Sequence, residues 1–425
     1  MESFIQFIKK SPTVYHAARE ITAQLDAAEF TPLLEGEKWN LESGKGYYVQ
    51  RDNTLVAAFR LPKKKAKSST LLATHTDSPA LKIKPKGNSS CKEIGQIGTE
   101  IYGGPLLYTW FDRDLAIAGR ILVQDKNGNL QTKFVYLDDQ PLIIPSVAIH
   151  LNREVNEKGF SLNKQDHLKA IFSLSVKEKQ LEEAIATHHQ FDTLVNYDLF
   201  LVPTEKSSFI GFNNELIASY RLDNLSSAYA SLNALLQTSA QDETIQMAIF
   251  WDHEEIGSKT YAGADSPFIN QVLERICLQF KMDKEDYYCL KNKSVCLSCD
   301  VSHGFHPNYS EKYDPQNASF LGKGPAIKFS SRYATTGSTA AAITALANKH
   351  KIPLQTYASR SDMPCGSTVG AMMGATLGIP TVDLGIPCWA MHSARETIST
   401  HDQLMLHKLL KVALEEPLTV CQEAL

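Results

Sequence analysis

The chain has no run of about 18 apolar residues, which excludes an ordinary membrane-spanning helix. It also lacks a charge surplus: 43 basic against 47 acidic residues leave a net charge of −4, so a nucleic-acid partner has no electrostatic support. The N-terminus, MESFIQFIKKSPTVYHAARE, has neither the apolar core nor the small-residue cleavage site of a signal peptide. It predicts instead two helices with a break at Ser11-Pro12, in a cytoplasmic chain. The eight cysteines are scattered and, without an export signal, are expected as reduced thiols. Cys296 and Cys299 form a C-x-x-C, but no second pair follows. Residues three apart on a strand point to opposite faces, so in the strand-like run SVCLSCD they would not share a metal and read as small buried apolar side chains. The Gly-rich stretch SDMPCGSTVGAMMG (361–374) lacks the Lys-Ser/Thr ending of a phosphate loop and does not fit G-x-S-x-G.

What is present is a 425-residue chain with 43% hydrophobic content, enough for two domains. Five segments read as buried strands: 69–75, 215–221, 247–252, 294–300 and 381–386. Helical patterns fall between the later ones, at 225–240, 267–280 and 337–350. That alternation predicts an α/β fold, a central mixed and largely parallel sheet with flanking helices. Such sheets carry their chemistry beyond the carboxyl ends of the strands.

The residues at those ends are the most informative in the chain. One strand runs into His75-Thr76-Asp77, another into Asp223-Asn224, a third into His253-Glu254-Glu255; the last two lead to Asp300 and to His392. Adjacent carboxylates such as Glu254-Glu255 repel, and a fold tolerates them when a cation holds one of them. For the dipeptide alone a solvated turn is the commoner reading. Five ends presenting His, Asp, Glu, Asp and His form the donor set of a two-metal hydrolytic site. His253 would point away from the cluster if strand geometry persisted, and His303 and His306 would line the site or bond locally.

The stretch 86–212 differs in character. Short strand-like runs (LLYTWF, AIAGRILVQD, TKFVYL) with Asn127-Gly128 and Gly103-Gly104 turn signals precede a polar helical region. Because His75 and Asp223 must meet at one site, this stretch is expected to be a β-rich inserted domain for a lid or oligomerisation, with 1–85 and 213–425 forming one discontinuous catalytic domain. The lysine run PKKKAKSS (62–69) is expected to be a solvated hairpin tip.

The segments THTDSPALKIKP (74–85), GGPLLYTWFDRDLAIAGR (103–120), PSVAIHLNR (145–153), RLDNL (221–225), DHEEIGS (252–258) and MHSARE (391–396) together resemble the aspartyl aminopeptidase family, which includes the yeast vacuolar aminopeptidases. The resemblance extends over nearly the whole chain. It implies a zinc-peptidase type of fold and removal of the N-terminal residue of peptides, with a preference for Asp or Glu. It further implies two Zn2+ per subunit, for which Mn2+ or Co2+ could substitute. His75 and His392 would be terminal ligands, Asp223 the bridging carboxylate, and Glu255 and Asp300 the remaining ligands. Asp77 would orient the His75 ring. Glu254 would be the general base that activates a water between the metals. Lys328, in KGPAIKFSS, matches a lysine that faces the substrate's first side chain, and Met363 a wall of that pocket. Without the resemblance, Lys328 reads as a surface charge and His150 as a satisfied histidine beside a strand. With it, His150 would reach a neighbouring subunit's site in a homo-oligomer, a dodecamer built from dimers. A neutral, Leu-type preference remains open, as does a related dinuclear-zinc amidase or deacylase.

Overall fold

The computed structural model describes residues 1–175, 179–418 and Val420. Its centre is a nine-stranded sheet whose middle strands are the apolar runs read from sequence: Ser68–His75, Thr244–Trp251, Val295–Cys299 and Thr381–Gly385. These four pair parallel to one another, while the flanking hairpin Gly46–Arg51/Leu55–Arg60 and the pairing of Ala326–Phe329 with Thr381–Gly385 are antiparallel, so the sheet is mixed. Thr244–Trp251 is buried at every position because helices cover both faces. Its side chains alternate with period two. Ala248 and Phe250 enter one core with the helices Leu222–Leu236 and Thr400–Glu415; Met247, Ile249 and Trp251 enter the other with Phe268–Gln279 and Val369–Leu377. Cys296 and Cys299 divide in the same way, one on each face, and both thiols are free.

Two further sheets frame the site. A six-stranded antiparallel sheet is built from strands between Ala80 and Pro203 around its own core, which includes Trp110, Leu115 and Leu199. Arg120 ties it to the central sheet by donating to Asp198 on a neighbouring strand and to Asp52 at the tip of the Gly46–Arg51/Leu55–Arg60 hairpin. The third sheet has five short strands in the order Ser208–Ile210, Leu216–Ser219, Glu396–Ser399, Pro387–Trp389, Ser302–His303.

Local expectations are corrected in three places. The run LLYTWF is not a strand: Leu107–Trp110 forms a 3-10 turn that buries Trp110. The lysine run is no hairpin tip, because the strands it joins are separated in the sheet by Thr244–Trp251. It runs beside residues 241–243, pairing Lys64 with Asp242 and Lys67 with Glu243. The strand before Asp223 and the strand before His392 belong to the five-stranded sheet and not to the central one. No helix is long and apolar enough to cross a membrane among the described residues.

Candidate metal centre

Three parallel strands of the central sheet end in register and deliver one face of the site. Ser68–His75 ends on His75 itself, Thr244–Trp251 is followed by the 3-10 turn Glu254–Ile256, and Val295–Cys299 is followed by Asp300. The five-stranded sheet delivers the other face. Leu216–Ser219 leads through Arg221, held at φ 66°, into Asp223, and Pro387–Trp389 leads into His392, held at φ 68°.

The donors converge around Asp223. Its Oδ1 lies 3.3 Å from His75 Nε2 and its Oδ2 lies 3.3 Å from His392 Nε2. His75 Nε2 is also 3.4 Å from Asp300 Oδ1, and His392 Nε2 is 3.5 Å from Glu255 Oε2. Two donor sets result, His75/Asp223/Asp300 and Asp223/Glu255/His392, and they share Asp223. A third grouping, His75/Glu254/Glu255, puts a Glu254 oxygen within 4.8 Å of the same centre.

Both imidazoles are aimed from behind. His75 Nδ1 lies 3.1 Å from the main-chain oxygen of Asp77, and His392 Nδ1 lies 3.1 Å from that of Gly104. A carbonyl can only accept, so each Nδ1 carries a proton and each Nε2 is aimed at the carboxylates, free to give up its own proton to a metal, as a metal ligand requires. The Asp77 carboxylate accepts from Tyr102 Oη (2.8 Å) and from the main-chain N–H groups of Glu254 and Glu255 (3.2 Å each). It therefore fixes the acidic turn as well as flanking the His75 ring.

A metal fits this set. Asp223 Oδ1, Glu255 Oε1 and Asp300 Oδ1 are buried and have no hydrogen-bond partner among the described residues, a costly arrangement unless a cation meets them. Mixed imidazole and carboxylate donors suit zinc. Burial pushes the Glu254 carboxyl up to about 8, and Asp300, Asp77 and Asp223 reinforce this against the opposing His75. Burial also drives Glu255 well above the carboxylate range. Burial opposes the charged form of His392, yet Asp223 and Glu255 raise it to about 10. A metal ion bound among these carboxylates would displace such protons.

Several residues in and around the centre were not singled out from sequence. Glu396 accepts from the main-chain N–H of Asp223 (2.9 Å) and of His392 (2.6 Å). Arg221, fully buried, donates to the carbonyls of Ser11 and Thr76. Gly103, at φ 71°, lets its backbone approach Glu255; a Cβ there would lie 3.1 Å from Glu255 Cβ. A lone Glu, Arg or Gly-Gly in a loop carries no sequence signal for these roles.

Lys328 is buried, with its ammonium 3.0 Å from the main-chain oxygens of Asp300 and Val301 and 3.4 Å from Asp300 Oδ2. Tyr333 lies over it at 5.2 Å and accepts from the Cys365 thiol (3.2 Å). Met363 is half-buried two residues before Cys365, and its main-chain N–H donates to Arg360 O (3.1 Å). His150 is exposed on the 3-10 turn Ile149–Leu151, outside the donor cluster. His253 turns away to bond Thr260 (2.7 Å), and His306 bonds locally to Asn308.

The chain matches the family model described as aminopeptidase I zinc metalloprotease (M18) over residues 7–412. The chain belongs to the M18 aminopeptidases. An M18 family aminopeptidase is a zinc-dependent hydrolase of the N-terminal residue of peptides, and that is the class of this enzyme. A similar curated protein is the probable M18 family aminopeptidase 2 of Ectopseudomonas mendocina (strain ymp), 38% identical over 429 residues and covering 98% of each chain. Among solved structures, a chain of the cryo-EM structure of the Ape4 and Nbr1 complex is 32% identical with TM-score 0.93, covering 99% of this chain and 87% of that one. The S. cerevesiae mApe1 dodecamer is 26% identical with TM-score 0.86, covering 98% and 96%. This M18 aminopeptidase thus shares both the sheet architecture and the chain length of its relatives.

Proposed function

We propose that this M18 aminopeptidase works with two zinc ions, one held by His75, Asp223 and Asp300 and the other by Asp223, Glu255 and His392. The observation that carries this reading is Asp223, whose two oxygens each lie 3.3 Å from a different histidine. Bound zinc supplies Lewis acidity, polarising the scissile carbonyl and lowering the pKa of water. Glu254 is the proton carrier. Its carboxyl, pushed up to about 8 by burial and by the neighbouring acids, is suited to accept a proton from the attacking water and return it to the leaving amine. Asp77 keeps that carboxylate in place through the Glu254 main-chain N–H. Residues 1–85 and 213–425 form the catalytic unit and 86–212 the inserted one in this reading, with the strand Ala80–Cys91 of the six-stranded sheet crossing the boundary.

The preferred N-terminal residue is acidic in the leading reading, with Lys328 facing it and Met363 forming part of the pocket wall. A desolvated ammonium beside the metal centre would select a carboxylate over an alkyl chain. The second reading, a neutral preference, is favoured by the three protein oxygens that already occupy the Lys328 ammonium. The exposed turn bearing His150 also exposes Val147, Ile149 and Leu151, an apolar edge suited to a second copy of the chain. Together with the dodecameric relative, this supports a homo-oligomer, a dodecamer in which His150 completes a neighbour's site.

The deciding experiment is hydrolysis of matched Asp, Glu and Leu amides before chelation, after it, and with zinc restored. Asp- or Glu-led turnover that is lost to chelator and recovered with zinc supports the leading reading. Leu-led turnover favours the second. Failure to turn over any amide when zinc-loaded would sink both.

A further inference from the structure

Glu396 is nearly fully buried at the start of the short strand Glu396–Ser399, where it pairs with Ser219 in the register of the five-stranded sheet. This pairing sets it between two chain segments that leave the same sheet. One passes from Ser219 to Asp223, the other from Trp389 through His392 back to Glu396 itself. Both segments pass through a left-handed residue, Arg221 at φ 66° and His392 at φ 68°, conformations that non-glycine residues adopt at a cost unless neighbours hold them.

The Glu396 carboxylate is the restraint that joins the two segments at their ligand residues. Oε2 accepts from Asp223 N (2.9 Å) and Oε1 from His392 N (2.6 Å). Other bonds hold His392 from different directions. Gly104 O fixes the ring, Leu106 N donates to His392 O, and Ala394 N donates to Thr109 Oγ1. All of these lead to the segment 104–109; none reaches Asp223. Asp223 in turn is held through its carbonyl by Ser78 Oγ at 2.7 Å. Among the described residues, Glu396 is the side chain that hydrogen-bonds both ligand backbones.

A purely structural acceptor would not need to be a carboxylate. Burying one beside Asp223 is costly in lost solvation and in repulsion. What the carboxylate offers is two acceptor oxygens in a rigid plane, one for each N–H. Glutamine offers a single acceptor oxygen, and its NH2 would meet the second N–H donor to donor. The His75 side of the cluster is held by other means, through Asp77 O behind His75 and Lys328 against Asp300.

We infer that Glu396 is a positioning residue that fixes His392 against Asp223 and thereby sets the affinity of the metal position these two share with Glu255. The inference rests on the two-ion reading above. The effect falls chiefly on one position of the pair, because Ser78 still holds the Asp223 backbone and the supports of His75 and Asp300 do not involve Glu396.

The test uses the full-length assembled protein, stripped with chelator and titrated with zinc in competition with a chromogenic chelator. Wild type, Glu396→Gln and Glu396→Asp are compared, and Co2+ titrations report the ligand geometry of each position. Glu396→Gln should weaken the site that contains His392 by tenfold or more, about 1.4 kcal/mol, and keep the other within about twofold. Glu396→Asp retains two oxygens on a shorter stem and should fall between. Equal weakening of both sites, no weakening of either, or loss of fold in both variants by circular dichroism would overturn the inference and leave Glu396 as part of the general scaffold. A wild-type stoichiometry of one zinc refutes the two-ion reading by itself, before any variant is compared.

Discussion

The ammonium of Lys328 lies 3.0 Å from the main-chain oxygen of Asp300 and 3.4 Å from its Oδ2. A residue expected to face the substrate therefore also braces a residue of the donor cluster, and the two roles make different demands on mutants.

Lys328→Met should separate those roles. If the ammonium selects an acidic side chain, kcat/KM for an Asp amide falls by about 30- to 100-fold, roughly 2–3 kcal/mol, while that for a Leu amide changes little. Equal losses on both substrates, accompanied by loss of zinc, would mean that Lys328 serves Asp300 alone.

Glu254→Gln keeps size and removes the proton acceptor. Turnover should drop by about 10²- to 10⁴-fold with zinc content and assembly unchanged. Loss of zinc in this variant would show that Glu254 is the ligand and Glu255 the base, because both sit on one 3-10 turn.

Gly103→Val introduces a Cβ 3.1 Å from Glu255 Cβ at a φ of 71°. Expected are weaker zinc binding and a stability loss of about 1–2 kcal/mol from the left-handed backbone alone. Zinc titration and thermal melting of the same sample would check both; wild-type affinity would mean the loop gives way at no cost to Glu255.

The metal-stripped protein should become less stable as pH rises from 6 to 9. Burial foremost raises Glu254 to about 8; burial opposes the charged form of His392, yet its carboxylate neighbours raise it to about 10. Both bind more protons in the folded state than in the unfolded chain over this range. Their contribution is complete below the unfolded pKa and is lost as pH passes the folded one, with each excess proton worth about 1.4 kcal/mol per pH unit. Asp223, held low chiefly by His392 and His75 against burial, keeps its contribution throughout. Melting curves with and without zinc should diverge most at the alkaline end; a metal-free Tm that climbs with pH would contradict the assignment.

Much of the site was legible because strand ends are where a sequence announces chemistry. His75, Glu254-Glu255 and Asp300 each follow a run of mostly apolar and small residues, and the burial of both faces of the central sheet makes such runs conspicuous. The origin of Asp223 and His392 was less legible. Their strands, Leu216–Ser219 and Pro387–Trp389, are four and three residues long, and local pattern cannot assign so short a strand to a particular sheet. The supporting residues were invisible for a different reason. Glu396 acts through its place in the register opposite Ser219, and Gly104 through a carbonyl oxygen that any residue would possess. Residue identity is uninformative where the backbone is the functional group.

The donors come from two sheets that share no strand. His75, Glu255 and Asp300 stand on the nine-stranded layer, whereas Asp223 and His392 stand on the five-stranded one. Metal held between them would act as a rivet through a seam, so its binding free energy would also oppose separation of the layers. Metal retention would then report on the protein's own integrity, since a distortion that slides one layer past the other pulls the donor set apart. Correct docking of the two sheets would in this way be a precondition of metal retention, and so of catalysis.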